Sequence, residues 1–339
     1  MASFNGKIFM TFITRNILRI FFTGWLWLGF SALGAQSAFP VDSSFTLRRE
    51  LTKQLKHHPD IHPAEVGDTS MLSLHRDVVY TSYGQRQLHA DIVFLSERAA
   101  EKMPVILFVH GGGWSSGNKS MEHPLAFEMA RRGYAAVCVE YRLSPEAGYP
   151  AAVIDLVTAI KWVRAMADTY PFDPEKVVLE GTSAGAQLVS LLGSINNQSD
   201  LFTTPKYAAY SGEVQGVINI DGVLAFLHPD SSEGMDRPGK PSAATRWLGS
   251  TAHENPERWK EASALTHINK NSAPFLFINS SLPRFGAGRD DLIEQLNKYD
   301  IPSRKHQHES CPHTFWLFHP WFKTTVQWMD DFMQEIILL

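Results

Sequence analysis

The sequence predicts an α/β domain with a mostly parallel central sheet and helices on both faces. Short, continuous apolar runs recur along the chain, as expected for strands that are buried on both sides. Helical stretches separate these runs, and alternating strands and helices are typical of three-layer α/β proteins. The 339-residue chain is 44% hydrophobic and 19% charged, which supplies enough apolar material for one large core.

Two antiparallel strands open the predicted sheet. The segment DVVYTSYGQRQLHADIVFL shows the alternation of half-buried strands on both sides of a turn at Tyr83-Gly84. SRKHQHES, near the carboxyl terminus, is the last predicted strand. The buried runs between them are, in chain order, MPVILFVH (103–110), YAAVCVEYRL (134–143), KVVLEGT (176–182), VQGVINID (214–221) and APFLFINS (273–280).

Three segments have helical character and lie between predicted strands: 150–170, 184–195 and 290–300. The strand–helix alternation defines one domain from 71 to 339. Residues 228–264 interrupt it, and we interpret them as an insertion lying over the sheet edge. Residues 38–70 are mixed in composition and are interpreted as a linker or N-terminal extension.

The first 37 residues have the order of a signal peptide. Lys7, Arg15 and Arg19 precede the apolar run IFFTGWLWLGFSALGA, which ends in small residues. This pattern predicts export to the periplasm or the extracellular space, and the alternatives are an uncleaved membrane anchor or an ordinary buried helix. The net charge of −4 and the lack of a basic run argue against a nucleic-acid partner.

Only two cysteines are present, which argues against a fold that depends on disulfides. Cys138 lies in a predicted central strand and is expected to be a small core residue. Cys311 lies in a predicted loop, and a bridge between the two cannot be argued from two positions.

A nucleophile is predicted at Ser183. The pattern Gly181-Thr182-Ser183-Ala184-Gly185 follows a predicted strand and precedes a predicted helix. A sharp strand-to-helix turn exposes the serine hydroxyl, and the glycines leave room for that turn. The helix start also presents backbone N–H groups to a developing negative charge.

A glycine-rich loop follows the strand VILFVH. In His110-Gly111-Gly112-Gly113-Trp114, three glycines make it easier to turn backbone N–H groups inward, which suits an oxyanion hole. The expected donors are the N–H groups of Gly112, Gly113 and Ala184. A phosphate-binding loop is the alternative, but Lys119 is too far along the chain for it.

The general base is predicted to be His313. His306 and His308 would lie within the last strand, whereas His313 falls in the loop beyond it, free to reach Ser183. A base after the last strand also fits the chain order serine, acid, histidine.

Together, HGGGW, YRLSPEAGYPAAVIDL, GTSAGA and the late Pro-His loop resemble the α/β-hydrolase superfamily across residues 75–335. More narrowly, they resemble BD-FAE-like esterases related to feruloyl and acetylxylan esterases. The segments INIDGVLAFLHPDSSEG, INSSLPRFGAGRDD and FWLFHPWF are similar to a subgroup tied to plant cell-wall polysaccharides, including pectin esterases. The resemblance implies the α/β-hydrolase fold and ester hydrolysis through an acyl-enzyme, with no metal or organic cofactor.

The sequence departs from the family at the expected acid. Where members carry an aspartate after the strand that ends at Asn279, this chain has Pro283. Asp221, at the end of the preceding strand, is the favoured replacement. Asp290 is the main alternative and Asp291 a weaker one, although both suit the first turn of a helix.

Four residues are candidates for substrate binding. Arg284 and Arg289 have the planar fork that binds carboxylates, such as those of a uronic acid. Trp114 and Trp316 are the aromatic side chains expected nearest the site, where they would stack on sugar faces.

The expected substrate is a polysaccharide or oligosaccharide ester, with acetyl, methyl and feruloyl esters left open. The alternatives are a small-molecule carboxylesterase, a peptidase of the same superfamily, or a non-catalytic carbohydrate-binding protein. A membrane contact is expected only if the N-terminal segment is retained. Oligomeric state is not predicted.

Overall fold

An eight-stranded sheet forms the centre of the computed structural model, which describes residues 42–196 and 201–337. The predicted signal peptide, residues 1–37, lies outside the described residues. Within those residues, no helix is long and apolar enough to cross a membrane. The strands of the described residues are β1 (His62–Pro63), β2 (Leu72–Tyr83), β3 (Arg86–Leu95), β4 (Met103–Val109), β5 (Ala135–Val139), β6 (Phe172–Thr182), β7 (Gly216–Ile220), β8 (Phe275–Asn279), β9 (Ser303–Gln307) and β10 (Phe318–His319). Strands β2 to β9 form the eight-stranded sheet, and β1 and β10 form a separate pair.

The sheet order is β2-β3-β5-β4-β6-β7-β8-β9. β2 and β3 form the predicted antiparallel hairpin, and β3 is also antiparallel to β5. All later neighbours are parallel, from β5 and β4 through to β8 and β9. The prediction of a mostly parallel sheet is confirmed. Because β7 lies between β6 and β8, the ends of these three strands meet at one edge of the sheet.

Helices cover both faces of the sheet, as predicted. α3 and α4 pack on one face, and α2 and α8 pack on the other. Strand residues alternate between the two cores, so that Leu107 and Leu179 face one core while Phe108 and Val178 face the other. The helices are α1 (Leu47–Gln54), α2 (His123–Arg131), α3 (Ala151–Ala165), α4 (Ala184–Ile195), α5 (Ala243–Leu248), α6 (Pro256–Glu261), α7 (Arg289–Asn297) and α8 (Trp321–Ile337).

Both cysteines are free and buried. Cys138 is a core residue of β5, as its apolar strand predicts. Cys311 is also buried among apolar side chains, so its loop is not an exposed one.

Residues 42–70, the described part of the segment interpreted as a linker or N-terminal extension, contain regular structure. α1 lies within them, and β1 pairs antiparallel with β10. The buried Glu50 of α1 accepts a hydrogen bond of 2.9 Å from the hydroxyl of Thr314. Of the two readings, this part fits an N-terminal extension and not a free linker, and it packs beside the loop that carries His313.

The insertion, residues 228–264, contributes α5 and α6. Its two tryptophans, Trp247 and Trp259, are fully buried. Ala262 accepts a hydrogen bond of 2.8 Å from the side chain of Gln187 on α4. The insertion thus packs against the helix that follows the serine, at the carboxyl end of the sheet, whereas the sequence predicted a position over the sheet edge.

Two carboxyl groups are buried on the side of the sheet that α2 covers. Burial raises the pKa of Glu122 to about 8, although a hydrogen bond from Thr182 favours its charged form. Burial, together with the charge of Glu122, raises the pKa of Glu180 well above its usual range. These groups carry protons in the native state at pH values where the unfolded chain has lost them.

Stability should therefore fall as pH rises between about 4.5, the usual pKa of glutamate, and about 8. In this window the native state binds more protons than the unfolded state, and above about 8 the contribution of Glu122 is fully lost. Glu122→Gln should flatten the curve, because glutamine stays neutral. Urea unfolding at half-unit pH intervals measures both proteins, and parallel curves for the two would contradict the prediction.

Candidate active site

Ser183 lies in a sharp turn between β6 and α4. Its backbone is in the left-handed region, with φ 52° and ψ −114°, which is strained for a residue with a side chain. We call residues 181–185 the serine turn. A Cβ on Gly181 would lie 2.5 Å from the carbonyl of Gly185, and one on Gly185 would lie 2.0 Å from the carbonyl oxygen of Val109. Gly181 is therefore required for the turn to close on itself, and Gly185 is required for the turn to pack against β4.

Ser183, His313 and Asp221 form a line of hydrogen bonds. His313 Nε2 lies 2.8 Å from Ser183 Oγ, and His313 Nδ1 lies 2.7 Å from Asp221 Oδ2. Three separate parts of the chain supply these groups: the serine turn, the end of β7 and the loop after β9. This is the geometry of a nucleophile, a general base and an acid that orients the base.

Asp221 is fully buried and receives several hydrogen bonds. Its Oδ1 accepts from the backbone N–H of Ser280 at 2.8 Å and from Asn279 Nδ2 at 3.3 Å. Its Oδ2 accepts from the hydroxyl of Ser280 at 2.7 Å as well as from His313. β8, after which the expected acid is missing, thus supplies hydrogen-bond donors to Asp221 at the end of the neighbouring strand β7.

The alternative acids do not reach His313. Asp290 lies in the first turn of α7 and pairs with Arg289 at 2.9 Å and with Lys305 at 3.0 Å. The hydrogen bond from Arg289 lowers the pKa of Asp290 to about 2, despite some desolvation. Asp291 pairs with His228 at 3.4 Å. Both carboxylates therefore have surface partners other than His313.

The other two histidines near His313 have separate partners. His306 stacks on Trp328 from within β9. His308 lies just beyond β9, is buried, and contacts the hydroxyl of Thr325 at 3.0 Å. Burial lowers the pKa of His308 to about 4. Only His313, among these three, contacts the serine.

The glycine loop, residues 110–114, lies beside Ser183. Gly112 and Gly113 have φ angles of 124° and 59°, and a Cβ on Gly112 would lie 2.1 Å from the carbonyl oxygen of Ser116. Among the described residues, none accepts a hydrogen bond from the N–H groups of Gly112, Gly113 or Ala184. These groups are available to bind a negatively charged oxygen.

Comparison with known proteins shows which family this chain belongs to. A family profile described as BD-FAE matches residues 91–282. This chain belongs to the BD-FAE family. It is 29% identical over 253 residues to a probable carboxylic ester hydrolase, LipM, of Mycobacterium tuberculosis, and this match spans 69% of the chain but 56% of LipM.

Solved structures share the α/β-hydrolase fold of this BD-FAE chain. Esterase Est2 of Thermogutta terrifontis has a TM-score of 0.64 at 23% identity, covering 79% of this chain and 94% of Est2. A truncated carbohydrate esterase from gut microbiota has a TM-score of 0.65 at 20% identity, covering 78% and 96%. At such identities the likeness establishes the fold. The chain spans about half the length of the curated relatives it matches, 56% of LipM and 54% of esterase LipQ of Mycobacterium tuberculosis.

A cavity of about 80 Å³ opens next to Ser183. We call it the catalytic pocket. Its walls come from the glycine loop, the serine turn, the segment after β7, the insertion and the β8–α7 loop: Gly113, Trp114, Ala184, Val223, Glu233, Ala243, Arg284 and Phe285. Side chains of distant segments therefore shape the space beside the serine.

The two candidate tryptophans have mainly structural contacts. Trp114 is only 3% exposed, stacks on Trp247 at 5.0 Å, and donates to Gln187 at 2.9 Å, although one edge lines the catalytic pocket. Trp316 is buried and packs edge-on against the His313 ring at 5.2 Å. Its expected role in stacking on a sugar is wrong, because no face of the ring is open.

The two candidate arginines differ in their pairing. Arg284 projects to the catalytic pocket, donates to Glu233 at 2.6 Å, and its side chain is 46% exposed. Arg289 is only 13% exposed, and its guanidinium already binds Asp290 twice and Asn279 once. Of the two, Arg284 has the free donors.

Sequence reasoning missed Phe285, Glu233 and Ser280. The ring of Phe285 stacks on that of His313 with centroids 3.4 Å apart. Glu233 comes from the insertion and reaches the site only through folding. The signal that could have identified Ser280 is its position directly after β8, beside the end of β7.

Asp221→Asn should lower kcat by about 10³- to 10⁴-fold, because an amide neither selects the correct histidine tautomer nor stabilises the imidazolium. Asp290→Asn removes a carboxylate of similar size from the same edge of the sheet and should leave kcat within about twofold, as expected of a surface ion pair. Steady-state hydrolysis of an aryl acetate measures both. Equal losses in the two variants would refute the assignment of Asp221.

Proposed function

We propose that this protein is a serine esterase that releases small acyl groups, foremost acetyl, from plant cell-wall polysaccharides or their fragments. The observation that carries the proposal is the hydrogen-bonded line of Ser183, His313 and Asp221 beside three unoccupied N–H groups. Membership of the BD-FAE family supports it.

The proposed reaction has two halves. Ser183 Oγ attacks the ester carbonyl while His313 Nε2 takes the hydroxyl proton, and the N–H groups of Gly112, Gly113 and Ala184 stabilise the oxyanion. The alcohol leaves with the proton from His313, and an acyl-serine remains. Water then attacks this ester, giving its proton to His313, and collapse of the second oxyanion frees the acid and Ser183. Asp221 holds the Nδ1 proton and stabilises the imidazolium.

The size of the catalytic pocket favours a small acyl group. The space beside Ser183 has a volume of about 80 Å³. An acetyl group needs much less room there than the aromatic ring and methoxy substituent of a feruloyl group. Phe285 and Trp114 close the pocket and are themselves held by stacking, so we expect little expansion.

A polar cavity on the other side of one loop supports a carbohydrate substrate. The 3₁₀ turn Pro283–Gly286 turns Arg284 and Phe285 toward the catalytic pocket, while Pro283 and Gly286 line a second cavity of about 380 Å³. His228, Asp230, Asp291 and Gln307 add donors and acceptors to this cavity, as sugar hydroxyls require. A chain of sugars lying across the loop would fill both spaces.

Arg284 is the candidate for binding a uronate carboxylate. Within the described segments its guanidinium makes one ion pair, with Glu233, and it also lies over the Phe285 ring at 4.6 Å. Its side chain lines the catalytic pocket and is 46% exposed. Arg289 is not proposed for this role, because Asp290 and Asn279 already occupy it.

A small-molecule carboxylesterase is the second candidate, favoured by the names of the curated relatives LipM and LipQ. We also propose that the protein is exported, since the charge and apolar pattern of residues 1–37 fits a signal peptide and a cell-wall substrate lies outside the cell.

Acetate should be the main product from acetylated pectin or xylan, with little ferulate or methanol. Ser183→Ala should lower acetate release by at least about 10⁴-fold, because the acyl-enzyme cannot form. Chromatography of the three products from both polymers gives the measurement. A folded Ser183→Ala variant with full activity would refute the serine mechanism, whereas ferulate release at the acetate rate would refute the pocket-size argument alone. Fast cleavage of aryl acetate with no release from polymers would favour the second candidate.

Arg284→Gln should raise KM for an acetylated galacturonide by about 10-fold, the value of a lost charge-assisted hydrogen bond, while leaving KM for a neutral aryl acetate unchanged. Glutamine keeps a donor for Glu233, so the buried carboxylate retains a partner. Arg304→Gln is the matched control, because Arg304 pairs with Glu335 at the far edge strand. Equal changes of KM on both substrates would contradict a carboxylate-binding role.

A further inference from the structure

Two loops of the active site meet at one buried hydroxyl group, that of Thr182. This residue ends β6, immediately precedes Ser183, and is 1% exposed. Its Oγ1 accepts a hydrogen bond of 3.0 Å from the backbone N–H of Gly111. Gly111 immediately precedes Gly112, so this bond joins the serine turn to the glycine loop.

Glu122 orients that hydroxyl. Thr182 Oγ1 donates to Glu122 Oε1 at 2.7 Å, and the glutamate is 1% exposed at the end of the 3₁₀ turn Lys119–Glu122. A hydroxyl has a single proton, so donation to Glu122 leaves its lone pairs for the N–H of Gly111. The hydrogen bonds therefore run in one direction, from Gly111 to Thr182 to Glu122. We call this buried chain of hydrogen bonds the directed relay.

The two loops are also in close contact at this point. A Cβ on Gly111 would lie 2.8 Å from the carbonyl oxygen of Thr182 and 3.0 Å from Ser183 Cβ. On its other side the glycine loop is held by the hydroxyl of Tyr141, which donates to the carbonyl of His110 at 2.9 Å. The bond from Gly111 to Thr182 is thus the polar contact that ties the loop directly to the serine turn.

We propose that Thr182 and Glu122 are positioning residues that set the distance between the Ser183 hydroxyl and the N–H groups that stabilise the oxyanion. This inference rests on the proposed esterase function. N–H donors act only when they lie about 2.7–3.1 Å from the developing oxyanion, and a misplacement of about 1 Å typically costs about 10²-fold in rate. Neither Thr182 nor Glu122 lines the catalytic pocket, so we expect ground-state binding of substrate to be unaffected.

The test separates a positioning role from a purely structural one. Thr182→Val has nearly the same shape and removes the hydroxyl, leaving the buried N–H of Gly111 without an acceptor. We expect kcat on an aryl acetate to fall by about 10- to 100-fold with KM nearly unchanged, a smaller loss than the 10²- to 10³-fold known for deletion of an oxyanion donor. Thr182→Ser keeps the hydroxyl and should recover most of the rate.

An aryl trifluoromethyl ketone provides the second readout. Ser183 Oγ forms a bond to its carbonyl carbon, the π electrons move to oxygen, and the hydroxyl proton passes to His313, so the adduct carries an oxyanion. Its inhibition constant should rise in Thr182→Val by the same factor as kcat falls, because both depend on the same N–H groups. A fall in kcat with an unchanged inhibition constant would overturn the proposal, as would a change confined to KM.

A matched control variant distinguishes the loss of a positioning hydrogen bond from a general loss of stability. Thr158 is another buried threonine, on α3, whose hydroxyl donates to the carbonyl of Ile154 at 2.8 Å. Thr158→Val makes the same chemical change away from the site and should leave kcat and inhibition unchanged. If the wild-type protein neither cleaves aryl acetate nor binds the ketone, the esterase function fails; if it does both and Thr182→Val equals it, only the relay fails.

A variant pair at Glu122 covers the case in which Thr182→Val does not fold. Glu122→Gln keeps an oxygen acceptor for Thr182, whereas Glu122→Ala removes it and frees the hydroxyl to rotate. The alanine variant should show a parallel fall in kcat and in ketone affinity, and the glutamine variant should not. Equal kinetics in the two variants would overturn the role of Glu122 and the directed relay.

Discussion

The buried carboxylate of Asp221 organises this active site. A charge with no exposed surface is costly unless hydrogen bonds and an opposite charge compensate for it. Here the compensation comes from Ser280 twice, from Asn279, and from His313. Each donor belongs to the neighbouring strand β8 and its continuation or to the loop after β9, so satisfying one carboxylate fixes three loop ends relative to each other. His313 then links this carboxylate to the hydroxyl of Ser183.

Close packing of the serine turn against the glycine loop is the second constraint on the active site. The serine turn and the glycine loop approach so tightly that a methyl group at Gly111 would lie 2.8 Å from the carbonyl oxygen of Thr182, and one at Gly185 would lie 2.7 Å from that of His110. Backbone cannot move aside as a flexible side chain can, so the separation between the nucleophile and the N–H donors is set by packing as well as by hydrogen bonds. The strained backbone of Ser183 persists because these surroundings leave it no other conformation.

The predictable part of the structure is the part encoded locally. The parallel strands, α3, α4 and the serine turn follow from apolar runs and from glycine spacing, and the placement of Asp221 follows from strand order. Phe285 and Glu233 were not predictable, because their roles arise from contacts across 28 and 51 residues of chain, with His313 and Arg284. Trp316 shows the same limit. Its closeness to His313 in the sequence correctly indicated that it lies near the site. Whether its own ring is open to a substrate depends on the packing of the whole C-terminal segment.

The insertion connects substrate selection to the catalytic loops. Trp247 of α5 stacks on Trp114, the residue directly after the glycine donors, and Gln187 of α4 bridges the Trp114 indole to the insertion at Ala262. The same insertion supplies Glu233 to hold Arg284 at the pocket mouth. A change in the insertion therefore acts on two things at once: the charge presented to substrate and the support beneath the glycine loop. For this reason, specificity in this fold is not expected to be transferable by exchanging the insertion alone, since Trp114 and Gln187, which contact the insertion from the rest of the domain, must be exchanged with it.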